Sequence, residues 1–305
     1  MQVHPSETDI EMCGAKMLSD CISRYSLQIQ PEVTTEFDGL LATAIRGALG
    51  FKLRDRICQC QRSDAHTESC WFSVIFNGDR RHSRVLGPRF VISFAEGAVT
   101  LSDRVPLVVE ISLLGLARPE EEQVLAALSA ALNDGLGAKR TPFKILSRQE
   151  AVLSSLDLAS GFDVYLTTPW FVKRRGEFVE AAQFTFHDVL IGLASRQRNV
   201  ARALGCTVDI PSNREILGFA DKCVVESDVV DRYWTRRSAR QEKSHPLKGV
   251  QGTLNISLSG ALPSWLDSLL GLGEWVHGGG KTAFGLGAIR VAPQKTNRLD
   301  KESFQ

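Results

Sequence analysis

No stretch of this 305-residue chain approaches the ~18 consecutive apolar residues that a membrane-spanning helix requires. The N-terminus, MQVHPSETDIEM, lacks a basic head followed by an apolar core, so no secretory leader is expected and a cytoplasmic location, with no membrane partner, is. Net charge is nearly missing too: 36 Lys and Arg against 35 Asp and Glu leave +1. A global positive field is thereby excluded, and any nucleic-acid site must be a local patch. No Asp/Glu pair clusters with the spacing of a two-metal nuclease. No cofactor and no catalytic metal is expected. The cysteines number seven, which is odd, and without a leader they fit a reducing compartment better than a disulfide framework.

What is there is an ordinary globular composition, 43% hydrophobic and 23% charged, with room for two domains of ~150 residues each. The pattern repeats itself. In the first half, alternating Tyr25, Leu27 and Ile29 predict a strand over 23–30, and apolar positions from Phe37 to Leu53 predict a helix over 37–56. Strands are expected at 71–76 (WFSVIF), 89–94 and 105–115, a helix with an acidic first turn over 119–132, and a short strand over 143–146. The second half gives a strand over 162–167 and a helix over 184–204, with Phe186, Val189, Leu190, Leu193 and Val200 inward and Arg196, Arg198 and Arg202 outward. A strand over 253–258, a helix over 263–272 and a last strand follow. The short strand over 143–146 completes a β-α-β-β-α-β unit in the first half and the second half repeats its grammar, so an α+β fold of two tandem ferredoxin-like domains, 20–150 and 151–293, is expected.

Two segments carry the functional signal. Gly271 to Arg290, GLGEWVHGGGKTAFGLGAIR, holds seven of the 25 glycines. Glycine stands where the main chain needs positive φ or where another group must come close to it. The bare backbone at Gly278, Gly279, Gly280, Thr282, Gly285 and Gly287 is expected to cradle a phosphodiester, beside Lys281 and His277. A side chain at Gly285 or Gly287 should then block RNA and leave the fold intact. The second segment, RYWTRRSARQEKSHPLK, sets Arg232, Arg236, Arg237, Arg240, Lys243 and Lys248 against the single acid Glu242, with Tyr233 and Trp234 available to stack on unpaired bases. Arg46 and Arg54, eight apart on the first helix, are further candidates for phosphate contact, Arg46 the better one because Gly47 and Gly50 follow it.

The pattern GTLNISLSG at 252–260, an apolar helix, WVHGGGKTAFGLG and then Ala288 to Val291 resembles the C-terminal signature of the CRISPR repeat-processing endoribonucleases of the RAMP superfamily. AIRGALGFKLRDRICQC at 44–60, the segment from Cys70 to Phe76 and the arginine-rich run from Trp234 to Gln241 are similar to other parts of that family. The resemblance covers most of 24–292 and implies RRM/RAMP-type ferredoxin-like domains with RNA on or between them. It also implies one metal-independent cut per CRISPR repeat by attack of a ribose 2′-OH, leaving a 2′,3′-cyclic phosphate, with the protein staying on the repeat hairpin. Other CRISPR effector-complex subunits are implied as partners.

Such chemistry needs a base, an acid and a cation for the developing phosphorane charge. His277 and Lys281 are the first candidates, His245 the runner-up and Tyr233 a third. One departure stands out: several family members place a catalytic histidine in the first helix or just after it, and residues 24–57 contain none. The alternative is a non-catalytic crRNA-binding subunit of a CRISPR effector complex. Separately, Cys58, Cys60, His66 and Cys70 fall within thirteen residues and admit a tetrahedral zinc site, although the C-x-C spacing is unusual for one.

Overall fold

The computed structural model describes residues 16–37, 40–60, 66–67, 70–78, 87–94, 100–158, 161–238 and 243–294, with the side chains of 234–238 and 243–247 outside that description. The first unit runs β1 (Ile22–Pro31), α1 (Leu41–Ile57), β2 (Phe90–Phe94), β3 (Leu107–Leu114), α2 (Arg118–Asp134) and β4 (Phe143–Ala151). Its antiparallel sheet has the order β2-β3-β1-β4. The second runs β5 (Gly161–Trp170), α3 (Phe186–Leu204), α4 (Asn213–Ala220), β6 (Val224–Ser238), β7 (Lys243–Ser257), α5 (Ser264–Val276) and β8 (Ile289–Pro293), with the order β6-β7-β5-β8. In both, the first strand of the unit lies between the third and the fourth, which is the ferredoxin-like arrangement. The chain is therefore two ferredoxin-like units in tandem.

The residues explain the elements. Along β1 the side chains of Tyr25, Leu27 and Ile29 alternate into the core under α1 and α2. α3 buries the stripe from Phe186 through Val189, Leu190, Leu193, Val200 and Leu204. Asp188 accepts from the Thr185 amide at 2.9 Å and hydroxyl at 3.0 Å to start the helix, and Gly205 ends it at φ +70°.

Three elements depart from the sequence reading. WFSVIF is helical, closing in one wide turn at Ser73–Asn77, because a short apolar run has no periodicity to separate strand from buried helix. α4 and β6 carry no expectation from sequence. β6 lies at the sheet edge and much of it is exposed, so the inward-outward alternation that marks a strand is absent. Beyond the Val250–Trp170 pairing that marks the end of the four-stranded sheet, β6 and β7 continue as a two-stranded ribbon to Ser238 and Lys243. No described helix is long and apolar enough to cross a membrane.

The two units share a core of their own. Leu18, Ile22, Val91 and Leu114 of the first pack against Val200, Leu204, Leu272, Trp275 and Val276 of the second. Beside it, buried Arg24 on β1 donates to Glu110 on β3 at 2.5 Å and to the Glu274 carbonyl, while Arg290 on β8 pairs with both Glu110 and Glu274. Two cations and two carboxylates neutralise one another at the boundary, which is what buried charge requires.

Candidate nucleic-acid interface

The glycine segment lies between the units as a clasp. After α5, His277 takes φ +60° and Lys281 φ +61°, and the chain makes a short turn over Thr282–Phe284 before β8. Thr43 of α1 donates to the Phe284 carbonyl at 3.3 Å, tying the turn to the first unit. What comes close to the bare backbone is the protein itself. A Cβ on Gly278 would stand 2.2 Å from the Trp170 ring, one on Gly285 2.5 Å from Ala42, and one on Gly287 1.9 Å from the Gly278 carbonyl oxygen.

The amides are committed in the same way. Gly278 donates to the Gly287 carbonyl, Gly280 to Phe171, Gly285 to Thr282 and Gly287 to Pro169, all between 2.8 and 3.1 Å. The expectation that these four amides cradle a phosphate is corrected accordingly: their hydrogen-bonding capacity is spent on holding the loop. Fold integrity after substitution at Gly285 or Gly287 is corrected with it, because both have positive φ and no room for a side chain.

His277 is fully buried. Its Nδ1 bonds the Leu286 carbonyl at 3.0 Å and its Nε2 bonds the Ser93 hydroxyl across the domain boundary. A carbonyl can only accept, so Nδ1 carries the proton and Nε2 accepts from Ser93. Burial, reinforced by Arg24, Arg196 and Arg290, holds the imidazole neutral and pushes its pKa down to about 3. With both ring nitrogens occupied and no exposed surface, His277 has no path to a phosphodiester. Its assignment as acid or base is corrected to a structural one.

Lys281 is placed differently. It is exposed, with Nζ 5.0 Å from the centre of the Phe171 ring, at the rim of a cleft of about 650 Å³. The opposite wall is the polar face of α3, where Ser195, Arg196, Asn199 and Arg202 follow at helical spacing. Lys173 and the backbone of Gly279 and Gly280 complete the lining, with Thr282 below. Gly192 on α3 makes this approach feasible, since a Cβ there would meet Trp170 at 2.8 Å and the Gly279 nitrogen at 3.2 Å. Arg196 is anchored through Nε to the Val276 carbonyl at 3.3 Å, and burial lowers its pKa to about 10, still charged at neutrality. Arg202 is exposed and bonds only Asn199 among the described contacts, at 3.1 Å.

The remaining candidates scatter. The Arg46 guanidinium lies 4.1 Å from the Phe76 ring centre, 5.0 Å from Phe284 and 5.6 Å from Phe90, so it is an interdomain cation–π contact, not an open phosphate ligand. Gly50 makes room for this bed, because a Cβ there would stand 2.4 Å from Phe76. Arg54 is half-buried two turns on along α1 and does not line the cleft. Lys248 pairs with Glu180 at 2.8 Å, which raises its pKa, and lies 5.2 Å from the ring centre of exposed Tyr233. Arg232 is exposed beside it.

In the ribbon the backbone pairs Tyr233 with Lys248, Trp234 with Leu247, Arg236 with His245 and Arg237 with Ser244. The side chains of Trp234, Arg236, Arg237, Lys243 and His245, and all of Arg240, lie outside the described residues. Cys58, Cys60, His66 and Cys70 do converge, with their ligating atoms within 4.8 Å of one another.

Sequence marks Arg196 and Arg202 only as outward-facing positions of a helix and does not single out Lys173 or Phe171. The polar face of α3 was the available signal for the first two. Nothing local marks the others, which reach the cleft only through the fold.

Residues 164–289 match the family described as CRISPR-associated endoribonuclease Cas6, and residues 18–160 match a family described as an N-terminal domain. A search of curated proteins gives no match. Among solved structures, Thermus thermophilus Cas6 is 12% identical with a TM-score of 0.52, over 91% of this chain and 100% of that one. A Cas6 product complex is 13% identical with a TM-score of 0.53, over 88% and 99%. A partial Cas6-RT-Cas1–Cas2 complex is 12% identical with a TM-score of 0.53, over 88% of this chain and 45% of that one. At such identities the likeness to solved structures is one of fold.

Proposed function

We propose that this chain, whose residues 164–289 match the CRISPR-associated Cas6 endoribonuclease family, cuts CRISPR repeat RNA to make crRNA, without a catalytic metal. The scissile phosphate sits in the cleft between α3 and the glycine clasp. The single observation that carries this reading is the convergence of Lys281, Lys173, Arg196 and Arg202 on that cleft in a chain whose net charge is only +1.

Four cations around one concavity focus a positive potential where the protein as a whole supplies none. Lys281 stands at the rim and neutralises the phosphorane charge as the 2′-OH attacks; Arg196, fixed by the Val276 carbonyl, holds a non-bridging oxygen; Arg202 and Lys173 carry the flanking phosphates. Holding the 2′-oxygen in line with the leaving 5′-oxygen supplies much of the acceleration, since the nucleophile and electrophile belong to one strand. The product ends are a 2′,3′-cyclic phosphate and a 5′-hydroxyl. The basic ribbon of β6 and β7 grips the repeat outside the cleft, with Tyr233 stacking on an unpaired base.

Two supports for partners are the RNA chemistry of the family and the Cas6-RT-Cas1–Cas2 assembly. On this reading the chain works on repeat RNA alongside other CRISPR proteins. A second reading, retention of crRNA without cutting, is favoured by one observation: among the described residues no histidine lines the cleft. Incubation of the protein with repeat RNA in excess EDTA separates the two. Cleavage with cyclic-phosphate ends supports the enzyme; tight binding of uncut RNA supports the binding subunit and overturns the first reading.

A further inference from the structure

We infer that Cys58, Cys60, His66 and Cys70 form a structural Zn²⁺ site that fixes the path of the chain between α1 and the helical turn at Ser73–Asn77. A tetrahedral zinc with bonds of about 2.3 Å to sulfur and about 2.0 Å to nitrogen sets sulfur–sulfur edges of about 3.8 Å and sulfur–nitrogen edges of about 3.5 Å. Here the Cys58 and Cys70 sulfurs are 3.8 Å apart, and the His66 Nδ1 is 3.4 Å from Cys58 and 3.5 Å from Cys70. The ligating atoms of all four residues lie within 4.8 Å of one another. Three sulfurs and one imidazole nitrogen at these separations are a soft donor set that selects zinc over magnesium or calcium. The imidazole ligates through Nδ1.

The local backbone explains why the donors stay together. Cys58 caps the end of α1 through its amide, which bonds the Arg54 carbonyl at 2.9 Å. Cys70 opens the next helical stretch: its amide bonds the Thr67 carbonyl at 3.0 Å and its carbonyl accepts from Val74 at 3.0 Å. Apart from its cysteines, which pack in or against the first core, the sequence CQCQRSDAHTES has only Ala65 as an apolar side chain, so a metal held by those cysteines and His66 adds an anchor that apolar burial alone does not supply.

The consequence reaches the domain boundary. The His66 ring packs on Phe72 at 5.1 Å, Phe72 stacks on Phe76 at 5.3 Å, and Phe76 fills the space over Gly50 and faces the Arg46 guanidinium. Zinc at one end of this row of rings positions the aromatic bed that holds Arg46 at the other.

The full-length protein, produced in zinc-supplemented medium and purified without chelator, is expected to contain one zinc per chain by elemental analysis. Replacement by Co²⁺ should give the thiolate charge-transfer and visible bands of a tetrahedral cobalt site. Cys58→Ser and Cys70→Ser should each lose the metal and melt at lower temperature, while Cys223→Ser, outside the cluster, keeps it. The cobalt spectrum and zinc content of the unaltered protein decide the matter even where a serine variant does not fold. Absence of stoichiometric zinc together with no tetrahedral cobalt spectrum overturns the inference. So does a Cys58–Cys70 disulfide in the freshly isolated protein, or the visible absorbance of an iron–sulfur cluster.

Discussion

The imidazole of His277, at the end of α5, accepts a hydrogen bond from Ser93 on β2, joining two residues 184 positions apart across the boundary between the ferredoxin-like units. The bond is buried and the ring is neutral, so its strength depends on pH. Unfolded histidine takes up a proton near 6.5, whereas the folded ring resists protonation down to about 3. Below 6.5 the unfolded state therefore binds more protons than the folded one. This contribution to stability is complete above about pH 6.5 and is lost progressively as the pH falls towards 3. Thermal melting from pH 8 to pH 4 should show a falling melting temperature below 6.5, with a shallower acid limb in His277→Gln. Parallel acid limbs would contradict the buried, neutral assignment.

His277→Ala is expected to cost roughly 3 kcal/mol, combining a cavity with an unpaired Leu286 carbonyl and Ser93 hydroxyl. Cleavage by the fraction that remains folded should stay close to the wild-type rate, because the ring has no access to RNA. Chemical denaturation paired with single-turnover rates at low temperature tests this. A stable variant with slow chemistry would restore the catalytic role.

Gly287→Val should destabilise by about 3 kcal/mol or more, adding the strain of a branched residue at φ +71° to a clash 1.9 Å from the Gly278 oxygen. Loss of RNA binding should follow loss of fold, measured by melting and circular dichroism. A well-folded variant that merely fails to bind would mean the clasp opens to admit RNA.

The extent to which this could be read from sequence follows from the range of the interactions. β1 and α3 are legible because their periodicity is local: every second residue from Tyr25, and the stripe from Phe186 to Leu204. The glycines did announce close approach, but sequence does not say what approaches. The approaching groups are Trp170, Phe171 and Ala42, brought there by strand pairing and interdomain packing. Arg46 beside Gly50 read as an open cation because Phe76, Phe90 and Phe284, which enclose it, come from three other segments. His277 in a glycine loop has the composition of a catalytic site; only Ser93 and Leu286 make it structural.

Replacing Arg236, Arg237 and Arg240 together by Ala should weaken binding of repeat RNA and flatten its dependence on salt, by about 0.7 in log–log slope for each phosphate no longer neutralised on a single strand. The melting temperature should barely change, since the ribbon extends beyond the four-stranded sheet. Filter binding across a salt series checks this, and an unchanged slope would mean the ribbon does not touch RNA.

The central claim is that the cleft between α3 and the clasp is where RNA is cut, with Lys281 carrying charge in the transition state. Lys281 is exposed, so Lys281→Ala should leave the melting temperature unchanged while slowing cleavage by about a hundredfold, the scale for losing one group that stabilises developing charge. The direct measurement is the single-turnover rate of repeat RNA cleavage in EDTA, at saturating protein, for the wild-type chain and for Lys281→Ala. The predicted result is metal-free cutting by the wild type and a folded variant that binds the RNA yet cuts it about a hundred times more slowly. Equal rates for the two proteins would contradict the account, because the chemistry would then lie outside this cleft.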